Sequence, residues 1–231
     1  MLIVLPPSET KAPGGVDAPM SLSFPSLDPV RTVLLDALSH TPVEAPASKQ
    51  DEAEENFTLR AAPVMPAIVR YTGVLYDALD PATLPDAARS HLAVGSALFG
   101  LVRAGDLIPR YRLSAGTKLG GTTMRARWGP AVTDVLAEQG FVVDMRSGAY
   151  RQLGPAPGAV TVRVEQADTG KVVSHFNKRY KGELARVLAA EVASASKGSV
   201  TPVGSVFDVA DLAAGAGFRV EVRGNELVLL V

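Results

Sequence analysis

The chain has 231 residues, a formal net charge of −1, a pI near 6.3, 47% hydrophobic and 20% charged residues, and a mean hydropathy of +0.16. That balance excludes wholesale disorder, and so small a net charge gives no sign by itself of a nucleic-acid partner. With no cysteine, disulfides, thiolate zinc sites, iron–sulfur clusters and cysteine nucleophiles are all excluded, which suits a reducing cytoplasm. The opening MLIVLPPSE lacks the basic segment and apolar length of a signal peptide, and no apolar run approaches a membrane span, so a cytoplasmic protein is expected.

MLIVL reads as a buried strand ended by Pro6-Pro7. Asp28-Pro29 opens a helix to about Ser39, with Val30, Val33, Leu34 and Leu38 at helical spacing. Residues 41–47 read as a linker, and SKQDEAEENFTLR as an exposed helix whose acids Asp51, Glu52, Glu54 and Glu55 face solvent. AIVRYTG predicts a strand, GVLYDAL a short helical turn ended by Asp80-Pro81, Pro85-Asp86 a further short helix, and LAVGSA a small-residue strand. GTKLGGTT is a glycine-rich loop, after which Thr122 or Thr123 caps a helix to about Gln139 with Trp128, Val132, Val135 and Leu136 on its apolar side. FVVDM predicts a strand, and VTVRVEQ and KVVSHF flank ADTG as a hairpin. A helix from about Asn177 to Ala193 follows, then a linker at ASASKGSVTP, a helix capped by Ser205, and a terminal hairpin FRVEV-RGN-ELVLLV. Interspersed helices and hairpins with no internal repeat predict one α+β domain over 1–231, a mixed sheet with helices.

The charge is unevenly placed. Residues 1–102 carry 6 Lys or Arg against 12 Asp or Glu, and residues 103–231 carry 17 against 12. Six basic residues and only Asp106 among acids lie between Arg103 and Arg127; five basic residues and only Glu183 lie between Lys171 and Arg186. In the first run, Arg103, Gly105, Arg110 and Arg112 surround a Gly-Asp turn. One reading is a phosphate-binding turn clamped by arginines; the other is a core segment whose arginines pair with acids of the N-terminal half. In the second run, Phe176, Tyr180, Leu184 and Val187 form an apolar stripe from which Lys178, Lys181 and Arg186 project, and Gly182 admits another backbone or a phosphate. Lys118 sits in a glycine loop without the order of a P-loop. His40, His91 and His175 share no metal-ligand spacing, so neither metal nor cofactor is expected.

Several spaced segments resemble the YaaA family of bacterial peroxide-stress proteins. SALFGLVRAGDLIPRYRLSAG, Ser96 to Gly116, is similar to the family's SGLYGxLRPxDxIxPYRLEMG. VRYTGVLYDAL resembles xFxGDVYxGL, ARWG lies where the family has FWG, DMRSGAY resembles NLASxEY, and HFNKRYKGELARVL resembles FYAKKARGxMARY. At the N-terminus PPSET stands for S-P-A-K-T, so Glu9 occupies the lysine position and Lys11 follows it, as in a divergent branch. The resemblance implies an α+β fold with a positively charged cleft, a helix-hairpin-helix-like element, binding to double-stranded DNA and limitation of iron-dependent oxidative damage. It implies DNA contacts from Arg103, Arg110 and Arg112, and from Lys178, Lys181 and Arg186, with Gly105 and Lys118 beside them. The competing reading is an enzyme acting on a nucleobase or nucleoside in the same cleft, for which Lys11 and Asp106 are the candidate pair.

Overall fold

A computed structural model describes residues 1–172, 176–195 and 203–231. In chain order its elements are β1 (Leu2–Leu5), α1 (Asp28–Leu38), α2 (Gln50–Glu54), β2 (Val64–Pro66), α3 (Ala67–Arg70), α4 (Val74–Leu79), α5 (Asp86–Arg89), β3 (Leu92–Ser96), β4 (Gly100–Arg103) and β5 (Leu107–Pro109). There follow β6 (Lys118–Leu119), β7 (Thr122–Thr123), α6 (Met124–Trp128), α7 (Ala131–Ala137), β8 (Val142–Asp144), α8 (Gly148–Arg151) and β9 (Val160–Glu165). Last come α9 (Phe176–Ala195), α10 (Val206–Gly215), β10 (Arg219–Arg223) and β11 (Glu226–Leu230).

All four residues of β1 are buried because the strand lies inside a seven-stranded sheet of order β10-β11-β9-β8-β1-β3-β4. The five inner strands are mutually parallel, and β10 and β4 close the two edges antiparallel. This mixed sheet with its helices is the α+β architecture the sequence predicts. Unbroken apolar runs such as LIVL belong to strands covered on both faces. Trp128 lies in the shared apolar core, its indole N–H donating to the Ala97 carbonyl at 2.8 Å. A Cβ on Gly100 would come within 2.8 Å of that ring, so β4 passes it only as glycine.

Other expectations hold locally. Thr123 caps α6 by accepting from the Ala126 N–H, and Ser205 with Asp208 forms a capping box on α10. The terminal hairpin pairs Arg219–Arg223 with Glu226–Leu230. The GTKLGGTT loop is itself a hairpin, β6–β7, turned by Gly120 and Gly121 at φ 56 and 79.

Four expectations are corrected. AIVR is one turn of helix, α3, because an apolar run this short carries no period to distinguish the two states. The helix expected from Thr123 to Gln139 is two, broken where Gly129 takes φ 49 ahead of Pro130. The segment 48–60 is short helical turns rather than an exposed helix, with Glu52 and Asn56 buried. Residues 98–113, where the helix-hairpin-helix-like element was expected, hold β4 and β5 around the Gly105 turn, and no helix lies between Arg89 and Met124. Strand β9 pairs with β8 and β11, and across the ADTG turn Glu165 bridges Val172 antiparallel, which is as far as the described residues follow the second arm of the expected hairpin before Phe176 begins α9. Residues 173–175, with His175, and part of the 193–202 linker lie outside the described residues. No described helix is long and apolar enough to cross a membrane.

Candidate functional site

From β1 the chain crosses to β3 on one side, while β8 leads on to β9 on the other. The loops leaving neighbouring parallel strands therefore diverge, which is where open parallel sheets bind ligands. Here they enclose a pocket of about 810 Å³, within the roughly 300–1,000 Å³ usual for small-molecule sites.

One wall is a ledge of hydroxyls after β1. The Thr72 N–H donates to Ser8 Oγ at 3.1 Å, and the Thr72 hydroxyl donates to Thr10 Oγ1 at 3.0 Å. The Ser8 hydroxyl in turn donates to the Thr10 carbonyl. Gly73 beside them has φ 95, a conformation that favours glycine, and a Cβ there would lie 3.4 Å from Thr10 Oγ1. The buried Tyr76 phenol fixes the loop by donating to the Pro6 carbonyl at 2.9 Å.

The other wall is cationic and follows β8. Asp144 ends that strand and holds Arg146 in a buried two-point pair, Nε to Oδ1 at 2.9 Å and Nη2 to Oδ2 at 2.8 Å. The Arg146 side chain fits because Gly95 faces it: a Cβ there would lie 2.5 Å from Arg146 Cδ. Asn177, Lys178 and Lys181 line the pocket from the start of α9, at spacings that share one helix face. Lys181 is 9% exposed and its ammonium donates to the Met145 carbonyl at 3.1 Å. Burial lowers its pKa to about 8, the Arg151 guanidinium pushes the same way, and Asp144 and Glu226 oppose. Among the described residues neither Arg151 nor Lys178 has a carboxylate within ion-pair reach. Glu9 is exposed at the pocket, and Arg163 is paired with Glu226 at 3.0 Å. Three cations, Arg151, Lys178 and Lys181, thus face one free carboxylate, Glu9, in the pocket.

Next to the hydroxyl ledge lies a second polar cluster. Lys11 is 7% exposed, with its ammonium 4.4 Å from the Tyr111 ring centre and 5.7 Å from that of Tyr71. Burial lowers its pKa to about 8 against the pull of Glu52, and Arg112, Lys49 and Arg110 add to the lowering. The Tyr71 and Tyr111 hydroxyls are 2.8 Å apart and Tyr111 reaches Ser96 Oγ at 2.7 Å. Burial raises both phenols, so they stay neutral.

The expected site residues divide. Arg110 pairs with Glu55 at 2.7 Å and Glu52 at 3.3 Å, and Arg112 approaches Glu52 at 3.9 Å. Arg103 donates to the Ser90 carbonyl and to Gln139 Oε1, and lies over the Phe24 ring. Gly105 is exposed in its turn, and Lys118 is exposed on β6. Lys178 is exposed at the pocket; Lys181 is buried in it rather than projecting away, since the buried face of α9 runs through Lys181, Leu184, Ala185 and Leu188. Arg186 donates to the Leu79 and Asp80 carbonyls, closing the end of α4. The two basic runs do not meet in the pocket, which takes none of Arg103, Arg110, Arg112 or Lys118. Lys11 and Asp106 make no ion pair: Asp106 accepts from Ser23 N and Oγ and from Arg103 N, while Glu52 is the carboxylate facing Lys11. Arg151 and the Ser8–Thr10–Thr72 ledge were not singled out from sequence. Their signal is small polar residues directly after buried parallel strands, in PPSET and MRSGAY.

A profile of the peroxide stress protein YaaA matches residues 1–199. A UPF0246 protein of Corynebacterium efficiens is 55% identical over the whole of both chains. One from Corynebacterium glutamicum is 49% identical over 97% of this chain and 96% of its own. A UPF0246 protein of Streptomyces coelicolor is 43% identical over 82% of this chain and 83% of its own. With a match that runs from β1 into α9 and takes in every segment lining the pocket up to Lys181, the chain belongs to the YaaA family of peroxide-stress proteins.

Proposed function

We propose that this protein serves the response to hydrogen peroxide in the cytoplasm by binding double-stranded DNA through its phosphates, largely without regard to sequence, and so limits iron-dependent damage to it. The observation that carries this reading is the pair Arg151 and Lys178, cationic at the pocket and without carboxylate partners among the described residues. Phosphate binding draws on cations that are free to exchange counterions for phosphates; a guanidinium already held by carboxylates contributes little. On this reading Arg151 and Lys178 make the central contacts and Lys118 extends them, while Arg103 and the Gly105 turn, beside the start of β3, lie at the other end of the sheet from the pocket. Arg110, Arg112 and Arg186 act within the fold that presents them, and Lys181 lies deeper in the pocket.

The test is anisotropy titration of short labelled duplexes of unrelated sequence with the parent and an R151A/K178A variant. The variant should bind every duplex more weakly by a similar factor. Parent-like binding by the variant, or no duplex binding by the parent at low salt, overturns the reading.

A further inference from the structure

The pocket is larger and more varied than a duplex backbone needs. Its cations gather on one side, where Arg151 lies close enough to Lys181 to depress its pKa and Lys178 shares the helix face of Lys181. Lys181 spends one hydrogen bond on the Met145 carbonyl, and among the described residues no carboxylate comes within ion-pair distance of its buried ammonium, Asp144 and Glu226 acting on it only from farther off. A buried charge left this way is costly unless an anion completes it. The hydroxyl ledge of Ser8, Thr10 and Thr72 and the Glu9 carboxylate offer acceptors and donors to a polyol. Pro6, Pro7, Val74, Tyr76 and Tyr150 supply apolar and aromatic surface on which a flat ring can rest.

We propose that this pocket binds a nucleotide, its phosphate held by Lys181, Arg151 and Lys178 and its sugar facing the Ser8–Thr10–Thr72 ledge. A phosphate alone leaves most of the volume empty, and a nucleoside alone leaves the buried Lys181 charge unanswered. The same chemistry arises from a free mononucleotide or from a nucleotide unit turned out of a strand. The inference deepens the DNA-binding reading in the second case and is independent of it in the first.

Calorimetric titration of the full chain with AMP, GMP, CMP and UMP, and with adenosine, ribose 5-phosphate and inorganic phosphate, tests it. At least one mononucleotide should bind about tenfold or more tightly than adenosine or inorganic phosphate. K181M and R151A should each weaken that binding by about tenfold or more, while R60A, at a surface pair with Asp36, should not change it. Melting curves establish that the variants fold, and R151A, whose side chain is partly exposed, carries the test if K181M does not. Parent-like nucleotide affinity in a folded K181M or R151A, equal binding of inorganic phosphate, or no mononucleotide binding overturns the inference. Titrations with single-stranded and duplex DNA separate the two sources and the two proposals. Duplex binding without mononucleotide binding leaves the DNA reading standing and sinks this one. Mononucleotide binding without duplex binding does the reverse.

Discussion

Glu52 and Arg110 stand 58 positions apart and meet at 3.3 Å, the carboxylate side chain 1% exposed and the guanidinium 22%. Lys49 shares the same carboxylate at 3.1 Å. Removing the arginine strands a buried negative charge with one near partner fewer, and such losses cost about 3 kcal/mol. R110A should therefore unfold at clearly lower urea, while an R110M/E52M double variant should recover most of the loss. Chemical denaturation of the three proteins checks this; an R110A variant as stable as its parent counts against a structural role for the pair.

Lys11 and Lys181 give stability an unusual dependence on pH. Both have folded pKa values lowered to about 8 by burial, below the ordinary lysine value. Between pH 8 and about 10 the unfolded chain holds protons that the folded chain has released, so unfolding free energy rises with pH, by at most about 1.4 kcal/mol per unit for each lysine. Below pH 8 both states are charged and the contribution is flat. Above about 10 the gain reverses, because Tyr150, pushed up to about 12 by burial, and the other buried phenols ionise first in the unfolded chain. Urea titrations at pH 7.5, 8.5 and 9.5 should show the rise, and K11M/K181M should flatten it.

Duplex affinity should fall steeply with salt. If about six phosphates are neutralised, binding weakens roughly a thousandfold between about 50 and 200 mM salt. K178A and K118A should each reduce the log–log slope by about one, equally for all sequences. A slope unchanged by both substitutions would remove these lysines from the contact face.

Gly182 lets α9 press against α4. A Cβ there would lie 2.2 Å from the Leu75 carbonyl oxygen and 2.9 Å from the Ala78 side chain, and backbone cannot yield as a flexible side chain can. G182A should destabilise by about 2–3 kcal/mol or more, read from thermal or urea melts, and should loosen the pocket wall that α9 supplies.

Where local chemistry decides structure, the sequence is legible. MLIVL, the Ser205 cap with Asp208 three residues on, and the alternating terminal hairpin each carry their signal within a few residues. The Gly129-Pro130 break was also visible as a breaker pair, but the apolar spacing of Trp128, Val132 and Val135 runs smoothly across it. Buried charge is not legible in this way. Glu52 looks like one acid among four, and only the fold brings Lys49, Arg110 and Arg112 to it from distant segments. Lys181 is buried because the buried face of α9 runs through Lys181, Leu184 and Leu188, while Tyr180 and Val187 of the expected stripe are only half-buried. The pocket needed the strand order, since nothing local says that PPSET and MRSGAY leave adjacent strands.

Arg31 of α1 is buried, and its guanidinium donates to the Phe99 carbonyl at 3.0 Å and to the Leu101 carbonyl at 2.7 Å. Leu101 belongs to β4, the last strand at that side of the sheet. An outermost strand with vacant carbonyls is a template on which another chain can add its own strand and begin a fibre. Here a side chain from α1 occupies the outward Leu101 acceptor, so one arginine fills part of the border on which another molecule's strand would have to be stitched.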